Sequence, residues 1–113
     1  MHIIDWHCDT ILKLWRSEGK EALAENHLSI DLEKLRAGHS LAQFFAVFID
    51  LKEHPQPFAA FHAMTDLFQQ ELTKNSGQIS LARSMAELQA YAKRKGFKPG
   101  WAYYQGKLRG WVK

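Results

Sequence analysis

The sequence predicts an α/β fold built on a parallel sheet. Three observations predict it. Two short apolar runs, Ile3-Ile4 and Leu41 to Ile49, read as strands. Each is followed by segments of helical period, so the order is strand, helices, strand, helices. The first run ends in polar residues, as strands of such folds do where they deliver functional groups at their C-terminal tips.

The first strand runs into Asp5-Trp6-His7-Cys8-Asp9-Thr10. Side chains on a strand alternate between its faces, so Ile3, Asp5, His7 and Asp9 are expected on one face. Cys8 then points away with Ile4, Trp6 and Thr10, and reads as a small buried apolar residue. An imidazole and a carboxylate two residues apart are both ligand types for a zinc-like metal. On spacing alone His-x-Asp is more often structural: His7 in a local hydrogen bond, Asp9 starting the next helix.

Thr10 is the expected N-cap of a helix over residues 10–24, carried by Ile11, Leu12, Leu14 and Trp15 and weakened at Gly19. Ser29 is a second expected N-cap, with Asp31 and Glu33 in the first turn, where the helix dipole favours negative charge. Leu32 and Leu35 form the apolar stripe, and Gly38 closes the helix.

Leu41 to Ile49 is almost continuously apolar and reads as a strand buried on both faces. Asp50 follows it, as a cap or a loop residue near the site. His54-Pro55-Gln56-Pro57 is a loop, with His54 on the side where a site is expected. A long helix spans Phe58 to Lys74, with Phe58, Phe61, Thr65, Phe68 and Leu72 as its core face. His62 lies on it without a partner at metal spacing. Ser84 and Glu87 form a capping-box pattern, opening a helix that ends near Gly96. A third strand is expected next, but Pro99 and Gly100 interrupt Phe97 to Tyr104.

Composition bounds the function. The 113 residues are 46% hydrophobic and 24% charged, suiting one domain or a part of one. No apolar run reaches the length of a membrane span, and the N-terminus has no secretory pattern. The single cysteine excludes an internal disulfide and fits a cytoplasmic chain. The net charge of +3 is uneven: residues 1–92 carry 8 Lys/Arg and 12 Asp/Glu, for −4, and residues 93–113 carry seven bases and no acid, for +7. The high pI therefore belongs to the tail and does not mark the body as a nucleic-acid binder.

Ile4 to Thr10 resembles the opening motif of the membrane (renal-type) dipeptidases, peptidase family M19. His27 to Gly38 resembles the family's next block, and Ala42 to Phe48 its second barrel strand. The resemblance covers about residues 2–96. It implies the N-terminal portion of a (β/α)8 TIM-type barrel, about two βα units that do not close a barrel alone. It also implies a hydrolase that cleaves dipeptides, some with a D-residue on the C-terminal side, using two zinc ions. His7 and Asp9 correspond to ligands of one zinc. The family's bridging glutamate and its further histidines lie on later strands and have no counterpart here. The resemblance thus implies residues 1–96 as part of a dipeptidase-like domain, truncated or split from its remainder and inactive as an isolated chain. A complementary C-terminal chain or self-association would supply cover. The other reading is a non-catalytic module whose basic aromatic tail, residues 97–113, binds a partner chain or nucleic acid through Trp101, Tyr103, Tyr104 and Trp111.

Overall fold

The structure is a computed structural model, and it describes residues 3–94 and 96. The expected third strand and the basic aromatic tail, residues 97–113, lie outside the described residues. The chain divides into two compact units, Met1–Ile79 and Ser80–Lys113.

In the first unit the order is β1 (Ile3–Cys8), α1 (Thr10–Arg16), α2 (Leu32–Ala37), β2 (Ser40–Phe45) and α3 (Pro57–Lys74). β1 and β2 pair in parallel, as the alternation of elements requires. The protein is therefore a mixed α/β structure with a two-stranded parallel sheet among the described residues.

The core forms where helices meet the sheet. Ile11 and Leu12 of α1 pack with Ala60 and Met64 of α3, and Phe45, Val47 and Ile49 lean on this cluster. A second cluster joins Leu14, Leu23 and Leu32. Phe45 and Phe68 link the two, with ring centroids 4.9 Å apart. Burying side chains such as Ile11, Leu23 and Met64 contributes roughly 1.5–3 kcal/mol each.

Several details differ from the sequence reading. α1 stops at Arg16, not near residue 24, because Ser17 turns its hydroxyl back to the Leu14 carbonyl at 2.7 Å. Glu18 and Gly19 then take left-handed φ values of 52° and 86°, which no helix continues. Asp9, not Thr10, holds the N-cap position of α1, and Thr10 is a buried first helical residue.

Asp31, not Ser29, caps α2, accepting from Lys34 N at 2.7 Å. At the other end Gly38 has an ordinary φ of −84°, and His39 takes the left-handed turn at 55°. The small residue is still needed, because a Cβ at Gly38 would stand 3.3 Å from the Lys34 carbonyl oxygen.

β2 is half-buried along its whole length rather than buried on both faces, since only β1 flanks it among the described residues. The buried stripe of α3 is Ala60, Met64, Glu71 and Leu72. The expected aromatic face is rotated partly out: Phe68 packs on the core, but Phe58 and Phe61 are exposed. The small side chain at Ala60 is what lies against Ile11 and Leu12 in the core cluster. Pro57 opens α3 at its first turn, where its missing N–H costs nothing.

In the second unit α4 (Met85–Arg94) opens with Ser84 and Glu87 in a variant of the expected capping box, the glutamate taking the N–H of Arg83 rather than that of Ser84. Glu87 N donates to Ser84 Oγ at 3.2 Å, and the Glu87 carboxylate accepts from Arg83 N.

Candidate metal centre

The strand register sets the site. Asp5 pairs with Gln43 and Cys8 with Phe45, so three steps along β1 match two along β2. One residue of β1 is therefore extra, which is a β-bulge over Trp6-His7. Trp6 stacks on Phe44, ring centroids 6.0 Å apart and 13° from parallel. Trp6 and His7 thus stand together against the single residue Phe44. The strict alternation expected for Asp5, His7 and Asp9 is interrupted here.

The bulge turns the His7 side chain outward, with 63% of its surface exposed. The next residue, Cys8, is buried, and its carbonyl accepts from Ala46 N at 3.0 Å. Asp9 follows at the strand tip. His7 Nε2 and Asp9 Oδ1 stand 2.9 Å apart. The carboxylate is an acceptor only, so Nε2 carries the proton in this contact. Asp9 holds the N-cap position of α1 but makes no side-chain cap bond. Both structural roles expected of this pair are seen: the local hydrogen bond is made, and Asp9 starts α1 with its carbonyl accepting from Lys13 N at 3.3 Å, while its carboxylate makes no cap bond.

The donor set suits a zinc-like ion in part. Two ligands of a tetrahedral ion at 2.0–2.2 Å stand about 3.4 Å apart, so a small rotation of either side chain from 2.9 Å reaches that spacing. Among the described residues no group of three or more His, Cys, Asp or Glu gathers around one point. The site residues in hand are the two at the β1 tip.

Neighbouring candidates take structural places. Burial pushes the Cys8 thiol up; hydrogen bonds with Thr10 pull against this, and the charges of Asp5 and Asp9 add to the rise. A protonated, buried thiol is no nucleophile. Asp50 caps a turn, its Oδ1 accepting from Lys52 N at 2.9 Å. His54 packs its ring 5.1 Å from Trp15 beside an ion pair of Arg16 with Glu53. It helps line a depression of about 390 Å³ with Trp15, Pro55, Gln56, Ala59 and Ala60. The His62 ring meets that of Phe61 edge-on, with centroids 5.6 Å apart.

Sequence reasoning passed over one contact. Gln43 Nε2 donates to Asp5 Oδ2 at 2.7 Å and to the Phe44 carbonyl at 3.2 Å. The available signal was an amide standing alone in the apolar run from Leu41 to Ile49.

Among the described residues no helix is long and apolar enough to cross a membrane. No curated protein and no solved structure matches the chain. The membrane dipeptidase family, peptidase family M19, matches residues 1–99, which include both strands, the bulge and the His7–Asp9 pair. A match over most of the 113 residues, in the order strand, helices, strand, settles the kinship: the chain belongs to the membrane dipeptidase family, peptidase family M19.

Proposed function

We propose that this chain is the opening part of a zinc-dependent dipeptidase barrel, in which His7 and Asp9 are ligands of one zinc. The observation that carries the reading is the meeting of His7 Nε2 and Asp9 Oδ1 at the C-terminal tip of β1, with the Asp9 carboxylate making no cap bond. Functional groups of parallel α/β barrels stand at that end of the strands. The parallel pairing of β1 with β2 and the helices between them support the barrel reading.

The chain's own residues do the following. His7 holds a proton on Nε2 against Asp9 Oδ1. For Nε2 to face a cation its lone pair must be bare, and in the neutral ring this needs only that the proton sit on Nδ1 instead. Asp9 brings the negative charge that offsets the cation. Zinc, when bound in the complete two-metal site, supplies a water of lowered pKa and a polarised peptide carbonyl. Two ligands from one strand tip leave that site unfinished, so the isolated chain binds zinc weakly and does not turn over dipeptides. The reducing cytoplasm, where the lone Cys8 stays a thiol, is the compartment we assign.

The test uses the purified chain loaded with zinc and a panel of L,L- and L,D-dipeptides, beside the His7→Ala, Asp9→Ala double variant. No turnover is expected from either. Turnover by the wild type that vanishes in the variant would show that the chain completes its own site, and would overturn the assignment of it as a part. The C-terminal portion of a related enzyme added in trans should then restore hydrolysis to the wild type and not to the variant.

A further inference from the structure

We infer that Gln43 is a positioning residue for the metal centre, acting through Asp5 to hold the bulge that presents His7. The inference rests on the reading of His7 and Asp9 as ligands. It goes beyond that reading by naming what fixes them.

The bulge is fastened on both sides. After it, Ala46 N donates to the Cys8 carbonyl at 3.0 Å. Before it, Asp5 is clamped by Gln43 Nε2 at 2.7 Å, and the same amide nitrogen reaches the Phe44 carbonyl at 3.2 Å. Phe44 is the residue opposite the bulge, carrying the ring on which Trp6 stacks. One side chain of β2 thus ties the last regular residue of β1 to the backbone facing the irregularity. A bulge is the device that re-aims a side chain beside a functional site, and its position must be pinned. If the extra residue moved along β1, a different side chain would be presented beside Asp9.

The clamp costs stability. Gln43 Oε1 is buried and has no hydrogen-bond partner among the described residues. An apolar side chain in this apolar strand would leave no such orphan acceptor. The amide is therefore a poor choice for packing and a good one for holding a carboxylate in place. Supports of this kind behind metal ligands commonly change metal affinity tenfold to a hundredfold when removed.

Cobalt(II) titration of the full chain, read by its visible absorption, tests the assignment together with long-range ¹H–¹⁵N spectra of the His7 ring without metal. Gln43→Leu should weaken cobalt binding about tenfold and break the His7–Asp9 contact in the spectra. Asp5→Ala should do the same, and the Gln43→Leu, Asp5→Ala double variant should be no worse than either alone. Gln43→Leu with affinity within about twofold of wild type and an unchanged His7 ring would overturn the inference, as would losses that multiply in the double variant. Leu72→Ala, which thins the buried face of α3, controls for general destabilisation and should leave the His7 ring signals as they are. If wild-type cobalt binding proves independent of His7 and Asp9, the metal reading fails, and the metal-free spectra still decide whether Gln43 sets the His7 position.

Discussion

The polar clusters around Asp31 and Asp9 are opposites. At the start of α2, Asp31 is only 1% exposed and both of its carboxylate oxygens are engaged. It accepts from Lys34 N at 2.7 Å, from Asn26 N at 2.9 Å and from the Lys34 ammonium at 2.9 Å. Asn26 in turn donates to the carbonyls of Ala22 and Ile30, and its own oxygen accepts from Leu28 N. At the tip of β1, Asp9 is about half exposed and holds one imidazole. A buried carboxylate held by three internal donors is closed to a ligand from solvent, so its role is to shape the chain. An exposed carboxylate with one exchangeable partner contributes little to the fold and is available to a cation.

That contrast can be broken by mutation, and the largest effect is expected at Asp31. Replacing it with Ala removes the α2 cap and leaves the buried Asn26 N–H and Lys34 N–H without acceptors. The expected loss is roughly 2–3 kcal/mol of stability, measured as a shift of the urea midpoint. A loss below about 0.5 kcal/mol, the range of ordinary surface changes, would remove the distinction between the clusters.

The same residue sharpens the comparison through pH. Burial alone would raise the Asp31 carboxyl, but the backbone and ammonium of Lys34 and the Asn26 N–H outweigh it and hold the carboxyl below its usual range. The folded state then binds its proton less readily than the unfolded chain does. The stability this contributes is complete above the unfolded aspartate value of about 3.9 and is lost as pH falls through the lower folded value. Urea midpoints taken between pH 6 and pH 2.5 should show this acid loss in the wild type. They should show less of it in Asp31→Asn, which keeps an N-cap acceptor but has no proton to gain.

The two clusters were not equally legible in the sequence. His7 and Asp9 stood out because imidazole and carboxylate are ligand types at the end of an apolar strand. The bulge that presents them did not, because register is a property of two strands, and nothing within Asp5 to Cys8 marks the extra residue. Asp31 was placed in the first turn of α2 rather than at its cap, since Ser29 offers the same chemistry two residues earlier. What decided between them was the pairing of Asp31 with Asn26 and Lys34, a tertiary preference that propensity does not contain. On α3 the helical period was right and the face was right only in part: Phe68 and Leu72 meet the core, while Phe58 and Phe61 are exposed. Spacings of three and four fit Ala60, Met64 and Leu72 as well as the larger aromatics, and close helix contact selected the small residue.

That rotated face gives a smaller effect. Phe58 is 79% exposed and Phe61 42%, and Trp6 and Phe48 are about half exposed. Apolar surface of this kind draws copies together, so sedimentation should show self-association that grows with concentration. Phe58→Glu with Phe61→Glu should reduce it while changing the unfolding free energy by less than about 1 kcal/mol. A wild-type chain that stays monomeric at all concentrations would contradict the reading of these rings as uncovered surface.

The smallest effect on stability belongs to the residues proposed to matter most for chemistry. His7 and Asp9 share one hydrogen bond between side chains that are 63% and 46% exposed. Exposed pairs of this kind contribute about 0–1 kcal/mol. Neither side chain supports a neighbour: the Asp9 carboxylate makes no cap bond, and the His7 ring lies outside both core clusters. The His7→Ala, Asp9→Ala variant should therefore unfold within about 0.5 kcal/mol of the wild type. It should also lose whatever zinc-induced rise in midpoint the wild type shows. That combination, no change without metal and a lost response with it, is what a site built for a ligand gives. A large loss of stability without metal would instead place the pair with Asn26, Asp31 and Lys34, as part of what holds the chain in shape.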